Sequence, residues 1–430
     1  MRVLTLTWEF PPRLTGGLAV ASYGLVKALL GLGVEVDLVI PTSEDVYFPL
    51  RREEDADSLP VRFVGSGRRK DFSRKLSGKD IVASTDTVTP AYYTPRETIP
   101  AEAKWNEAWE SLGQTESIGF VLGLLSEEKF LHKEVKEYTA RVANAVGELD
   151  FDLIHAHDWL TYPASLLTKI VSGKPLVVHV HSTEFDRAGG PGDQRIHNIE
   201  YAGTQLADRV IVVSAYTANM AVERYRVDRN KIRVVHNAYT LKCQKGEKER
   251  MFQGPTVVFV GRITIQKGPD YFLEIAKRVL SEEKNVRFIM AGRGDMEREI
   301  LHKAASYGMG AKFLFAGFLN RDELEPSLSA SDIFVMPSIS EPFGIVALEA
   351  MSCGAVAIVA KQSGVAEAIE NAYKVDFWDV EGIAAIILEL VRNPDKLKEI
   401  SRKSVEEVGR LQWEEAGKKM VDVYGELIEV

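Results

Sequence analysis

The sequence predicts an α/β protein made of two doubly wound parallel-sheet domains, and three observations lead there. Strand-like runs alternate with helix-like runs in both halves, the pattern of parallel sheets joined by crossover helices. Runs such as Val257-Val258-Phe259-Val260 are continuously apolar, as strands buried on both faces are. The chain also has 430 residues, more than one ordinary core holds. Between its halves, residues 241 to 250 are polar and highly charged, which suits a surface linker.

Taken in order, strands are expected over residues 3 to 7, 34 to 40, 151 to 156, 176 to 181 and 209 to 213 in the first half. In the second half they are expected over 256 to 260, 286 to 291, 312 to 316, 332 to 336 and 355 to 359. The first strand leads into Gly16-Gly17 and then Ala19 to Leu30, whose apolar spacing is helical. Residues 68 to 135 break the alternation with Pro90, Pro95, Pro100 and several aromatics, and read as an insertion in the first domain. This divides the chain into a domain over 1–238, a hinge over 239–254, a second domain over 255–410 and a final helix over 411–430.

Composition narrows the class. Apolar residues at 45% can fill two cores, and a net charge of −9 argues against nucleic acid or an anionic membrane as the main partner. Arg68-Arg69-Lys70 reads as a solvated loop. Only Cys243 and Cys353 occur, too few for a disulfide framework or a cysteine metal site, and a reducing cytoplasm fits. The opening residues Met1 to Leu6 read as a core strand rather than a signal peptide, and no apolar run approaches the ~18 residues of a spanning helix. A homo-oligomer is compatible with all of this.

The densest chemistry lies in Ser340-Glu341-Pro342-Phe343-Gly344-Ile345-Val346-Ala347-Leu348-Glu349. Pro342 and Gly344 break regular structure and helical spacing begins at Ile345. Glu341 therefore precedes a helix and Glu349 lies about one turn inside it. The free N–H groups of residues 344 to 347 would face a diphosphate, favoured there by hydrogen bonding and the helix dipole. One carboxylate can then meet sugar hydroxyls and the other a ribose. By spacing alone, a strand, a turn and a helix with solvated glutamates fit equally well. Arg262 and Lys267 follow the 257–260 strand, at the sheet end where such folds bind ligands, and could neutralise the phosphates. Gly16 and Gly17 open a helix with no Cβ between backbone and ligand.

Together these residues resemble the retaining glycosyltransferases of the GT-B fold, the large group that holds sucrose-phosphate synthases and trehalose-forming transferases. Glycogen and starch synthases are close relatives. The motifs occur in the family's order along nearly the whole chain: Trp8-Glu9-Phe10-Pro11-Pro12, Thr15-Gly16-Gly17-Leu18, His155-Ala156-His157-Asp158-Trp159, His179-Val180-His181-Ser182-Thr183, Gly261 to Gly268, Ala291-Gly292-Arg293-Gly294, and Glu341 to Glu349. The resemblance implies two Rossmann-like domains facing a central cleft, with the last helix crossing back to the first domain. It also implies catalytic roles for His157, Arg262, Lys267 and Glu341. Donor binding would fall to Gly16, Gly17, Gly294, Phe318, Phe343, Gly344, Ile345, Val346 and Glu349, and the acceptor side to Glu9, His181 and Ser182.

No cofactor or metal is expected. His157 and His181 would share the cleft mouth, but no third ligand stands at recognisable spacing, and His155 is read as a core histidine on the opposite face. Asp55-Ala56-Asp57 and Asp150-Phe151-Asp152 are not placed to hold a cation for a diphosphate. The implied activity is transfer of a hexosyl group, expected to be glucosyl, from a UDP- or ADP-hexose to an oligo- or polysaccharide with retention. An α-1,4-glucan synthase comes first and a maker of a small disaccharide or its phosphate second. A non-catalytic sugar-nucleotide or glycan-binding protein and a glycosidase built on Glu341 and Glu349 are the readings from other classes. Ser363-Gly364, Asn237-Ala238-Tyr239 and Lys374-Val375-Asp376-Phe377 depart from the family's glycine-rich versions, which weakens assignment of a particular acceptor.

Overall fold

The computed structural model describes residues 1–11, 16–41, 47–57, 133–147, 149–240, 243 and 252–428. The insertion expected over 68–135 therefore lies outside the described residues except at its end. The chain forms two compact units: residues 1–213, 217–235 and 413–430 make the first, and 214–216 with 236–412 the second.

In the first unit the strands are β1 (Arg2–Leu6), β2 (Glu35–Val39), β3 (Tyr47–Leu50), β4 (Leu153–His157), β5 (Leu176–Val180), β6 (Arg209–Val212) and β7 (Ile232–Val234). They lie in the order β3-β2-β1-β4-β5-β6-β7, parallel throughout except for β3, which pairs antiparallel with β2. Side chains alternate across such a sheet. Ile154, Ala156, Val178 and Val180 enter a core with Trp159, Leu166 and Ile196 on one face. Leu153, Val177 and Ile211 enter a second core with Leu25, Leu29, Met420 and Tyr424 on the other.

That second face is covered by the Gly17–Gly31 helix and by the last helix, Trp413–Gly425, which packs against it. Gly24 is where the two helices close up: a Cβ there would strike the Trp413 indole. Glu426 fastens the chain end by accepting from Arg209 at 2.7 Å and Arg233 at 2.7 Å. The hydrogen bonds from Arg233 and then Arg209 depress its carboxyl to about 2.

The second unit holds β8 (Thr256–Val260), β9 (Arg287–Ala291), β10 (Phe313–Gly317), β11 (Ile333–Met336), β12 (Val356–Ala360) and β13 (Tyr373–Val375), all parallel, in the order β10-β9-β8-β11-β12-β13. The Pro269–Glu282 helix buries Phe272, Leu273, Ile275, Ala276 and Val279, a helical stripe laid on the sheet beside Phe259 and Phe288. Three strands were not foreseen: β3, β7 and β13. Each is a sheet edge of three or four residues, so none carries the long apolar run that marks a central strand. Cys243 and Cys353, not expected to form a disulfide framework, pair with each other, their Cα atoms 5.1 Å apart.

Candidate functional site

In each sheet the strand order reverses between two neighbours, β1 and β4 in the first and β8 and β11 in the second. Loops leaving the C-terminal ends of parallel strands at such a reversal diverge and leave a crevice. Most of the residues singled out above fall on those loops.

In the second unit, Arg262 and Lys267 follow β8, Gly294 follows β9, Phe318 follows β10, and Glu341 follows β11. Lys267 ends a short 3-10 turn, Ile265–Lys267, and its Nζ meets Glu341 Oε2 at 2.5 Å. The Lys267 side chain is 20% exposed and that of Glu341 9%, so the pair is screened by little water. Ser338 Oγ donates to the same carboxylate oxygen at 3.4 Å. Arg262 donates to Gln266 Oε1 at 2.8 Å, and the Gln266 carbonyl accepts from Ile339 at 2.9 Å, so the cation-bearing loop and the glutamate loop are joined by backbone and side chain.

Glu341 is further fixed by its backbone, which bridges to Ser363 in parallel fashion and accepts from Gly364 at 2.9 Å. Gly344 then turns the chain with φ of 104°, a left-handed conformation other residues avoid, and a Cβ there would meet Met336 at 2.9 Å and Glu341 Cγ at 3.2 Å. This starts the Ile345–Ser352 helix, whose first turn has no side-chain cap. Phe343 and Ile345 are buried while Gly344 and Val346 are half-buried, so the helix start reaches the surface at those two residues. The N–H groups there, without a side-chain cap among the described residues, present positive potential beside the Lys267–Glu341 pair.

Glu349 lies one turn in and is buried. Burial pushes its carboxyl up to about 7, opposed by the nearby charge of Arg321. Arg321 itself donates to Thr240 Oγ1 at 2.6 Å. Phe318 is 53% exposed at the end of β10, an aromatic face open to stacking. Gly294 packs its backbone on that of Ile263, leaving no room for a side chain.

In the first unit, Gly16 caps and Gly17 opens the helix after β1, and nothing among the described residues lies within 4 Å of where a Gly17 Cβ would stand. That open space admits a ligand up to the backbone. Glu9, His157, His181 and Ser182 are all buried. Asp158, held at φ 58°, turns its carboxylate to accept from the His181 N–H at 2.7 Å. Arg187 clamps the same turn by donating to the Ser182 carbonyl at 2.8 Å, and is itself buried between Glu184 and Glu200. Burial pushes the Asp158 carboxyl up to about 7 despite Arg187.

Two expectations change here. His157 is not open to a sugar: its side chain is wholly buried and its Nδ1 is hydrogen-bonded to His181 Nε2 at 2.9 Å. His155 does not turn to the opposite face, because residues two apart on a strand share one. The rings of His155 and His157 are 4.2 Å apart, and His179, in register with His157, completes a group whose ligand nitrogens lie within 4.8 Å of one another. This group differs from the His157–His181 pair considered from sequence, since it joins His155 and His179 to His157 and leaves out His181. Its signal was the repeat of His-x-His on two strands, readable only once those strands are known to be neighbours. Gln266, Ser338 and Arg321 were missed because no spacing rule marks them.

The two aspartate pairs serve local structure. Asp55 accepts from the Arg51 and Arg52 N–H groups, Asp57 pairs with Lys27 at 3.0 Å, and Asp152 accepts from the Arg2 N–H at 2.8 Å before β4 begins. Among the described residues no helix is long and apolar enough to cross a membrane.

Comparison with known proteins agrees with the sheet pattern. Residues 127–242 match the family model Glycosyltransferase Family 4, and residues 245–407 match Glycosyl transferases group 1. An uncharacterized glycosyltransferase of Methanocaldococcus jannaschii is 28% identical over 386 residues, 86% of this chain and 83% of that protein. Glycogen synthase of Mycobacterium tuberculosis is 24% identical over 403 residues, 92% of this chain and 87% of the synthase. The catalytic domain of starch synthase IV from Arabidopsis thaliana, solved with ADP and acarbose, superposes with a TM-score of 0.67 at 15% identity, covering 99% of this chain and 98% of the other. With two α/β sheets, parallel but for β3, and both family models in sequence, the chain belongs to the GT-B glycosyltransferases.

Proposed function

We propose that the protein transfers a hexosyl group, glucosyl in the first instance, from UDP- or ADP-hexose to a glucan hydroxyl with retention at the anomeric carbon. The observation that carries this is the Lys267–Glu341 pair beside the uncapped start of the Ile345–Ser352 helix, at the strand-order reversal of the second sheet. Arg262, Lys267 and the N–H groups of Ile345 and Val346 bind the diphosphate and stabilise it as it leaves, the kind of preorganised charge that dominates such catalysis. Glu349 accepts from the ribose hydroxyls, and Phe318 with the backbone at Gly294 bounds the base.

A phosphate arriving at Lys267 competes with Glu341 for the ammonium. The released carboxylate, still held by Ser338, then accepts from hydroxyls of the donor sugar, with Phe343 and Gly344 shaping the floor. Retention follows from attack on the face the diphosphate leaves, with a phosphate oxygen taking the acceptor's proton. Glu341 binds hydroxyls rather than forming a glycosyl adduct. Gly16 and Gly17 allow close backbone approach of a ligand, while Glu9, His181 and Ser182 belong to the acceptor side, with His157 positioning His181. The glucan acceptor is supported by the glycogen synthase relative and by the acarbose seen with starch synthase IV.

The test is release of nucleoside diphosphate from UDP-, ADP- and GDP-hexoses, each with glycogen, maltooligosaccharides and small sugar phosphates. Elongation of maltooligosaccharides with an α-linked product supports the proposal. Transfer to a sugar phosphate alone makes the small-disaccharide reading correct. Tight nucleotide binding with no turnover across the panel indicates a binding protein. Reducing sugar released from glycan without donor indicates a glycosidase.

A further inference from the structure

Four histidines stand together inside the first unit: His155 and His157 on β4, His179 at the end of β5 and His181 just beyond it. All are buried, on a stretch of sheet where the surrounding side chains are otherwise apolar or hydroxylated. Their rings lie against one another, tilted with centroids 4.2 Å apart for His155 and His157, and stacked at 5.1 Å for His157 and His179 and 4.1 Å for His179 and His181. Only three of the eight ring nitrogens have partners: His155 Nδ1 with the Tyr424 hydroxyl at 2.8 Å, and His157 Nδ1 with His181 Nε2 at 2.9 Å. His155 Nε2, His157 Nε2, both nitrogens of His179 and His181 Nδ1 are buried with no partner among the described residues. Buried polar atoms are nearly always satisfied, so five orphaned nitrogens in one place ask for an occupant.

We propose that His155, His157 and His179 bind one divalent d-block ion of the Zn²⁺ class. One ring nitrogen from each lies within 4.8 Å of the other two, and small side-chain rotations draw such a set onto an ion at ~2.0–2.1 Å. The tautomers agree with this. If the Nε2 atoms of His155 and His157 face the ion, their Nδ1–H groups donate to Tyr424 Oη and to His181 Nε2, the outer partners that ligating histidines usually have. Three neutral imidazoles leave a fourth position for water. Thr5 Oγ1, buried and unpartnered on β1 in register with His155, can accept from it. The ion would tie β4 to β5 and, through Tyr424, to the last helix. The ion would lie inside the first unit, and no step of the transfer is routed through it.

The test uses the whole protein, stripped by chelator under mild denaturant, refolded with Zn²⁺, Co²⁺ or neither, and passed through a desalting column. Metal analysis should find about one ion per chain, the Co²⁺ form should show the visible bands of a tetrahedral nitrogen-rich site, and Tm should rise with added Zn²⁺. His179→Gln should lower occupancy at least ~10-fold and abolish the Zn²⁺ response of Tm, while His302→Gln, at an exposed histidine, should change neither. The Co²⁺ spectrum of the parent protein decides the matter even if His179→Gln fails to fold. Occupancy below about a tenth with both ions, or the same occupancy in folded His179→Gln, overturns the proposal.

Discussion

Replacing Lys267 by Ala exposes the logic of the candidate site most sharply, because the loss is twofold. The ammonium that would meet the diphosphate disappears, and Glu341, which it neutralises at 2.5 Å, is left facing the same ligand. A charge ~4 Å from a phosphate at an effective dielectric of ~20 contributes up to about 4 kcal/mol, in line with the ~10²–10³-fold loss seen when one transition-state stabiliser is removed. A phosphate oxygen ~3 Å beyond the lost ammonium would lie ~6 Å from the Glu341 carboxylate. The repulsion there is about 1–3 kcal/mol over dielectrics of ~80 to ~20, roughly 5- to 150-fold in affinity. Nucleoside diphosphate binding, measured by titration calorimetry, should therefore fall in Lys267→Ala and recover about 5-fold or more when Glu341→Gln is added. Turnover should not recover, since the sugar-binding carboxylate is gone as well. A folded Lys267→Ala variant with unchanged affinity and unchanged turnover would refute the reasoning.

Four further outcomes follow from the same geometry. With its carboxyl at about 7, Glu349 is half protonated at neutral pH, and the ionised form is the better acceptor for ribose hydroxyls, so nucleotide affinity should rise from pH 6 to 8. Glu349→Gln should flatten that profile. Because its folded pKa is raised, the group binds more protons folded than unfolded between about 4.5 and 7. It therefore opposes folding increasingly as pH rises through that window, and Glu349→Gln should show a higher Tm than the parent at pH 8. Gly344→Ala should cost about 1–3 kcal/mol from its left-handed backbone, read as a lower Tm, and should weaken nucleotide binding. Gly17→Ala meets open space among the described residues, so its unfolding free energy should stay within ~0.5 kcal/mol of the parent while ligand binding falls. Glu426→Ala should loosen the last helix by about 1 kcal/mol at most, given how much water reaches the pair, with the difference fading as pH drops toward 2.

The fold was legible where burial is one-sided in its demands. The β8 run Val257–Val260 is apolar throughout because helices cover both faces of its sheet, and the glycine and proline breaks around it fix its ends. The edges were not legible: β7 is three residues long and β3 contains Pro49, so neither carries a distinctive pattern. At the candidate site, the positions of Arg262, Lys267 and Glu341 after their strands could be read from sequence because parallel sheets bring strand ends to one edge. That Lys267 and Glu341 touch could not, since 74 residues separate them and their loops meet through the β8–β11 pairing. The histidines show the opposite failure. His155 was assigned to the wrong face and His179 was passed over, although period-two alternation and the β4–β5 register place both beside His157. The burial of His157 was also beyond reach, because it depends on the turn that Asp158 and Arg187 hold.

The central claim is that the Arg262–Lys267 loop and the start of the Ile345–Ser352 helix form an anion trap that makes a nucleotide a good leaving group. A crystal structure with bound UDP or ADP tests it most directly. The account predicts the pyrophosphate within hydrogen-bonding reach of Arg262, Lys267 and the Val346 N–H, with Glu349 on the ribose. A pyrophosphate bound away from these groups, with Lys267 still paired to Glu341, would contradict it.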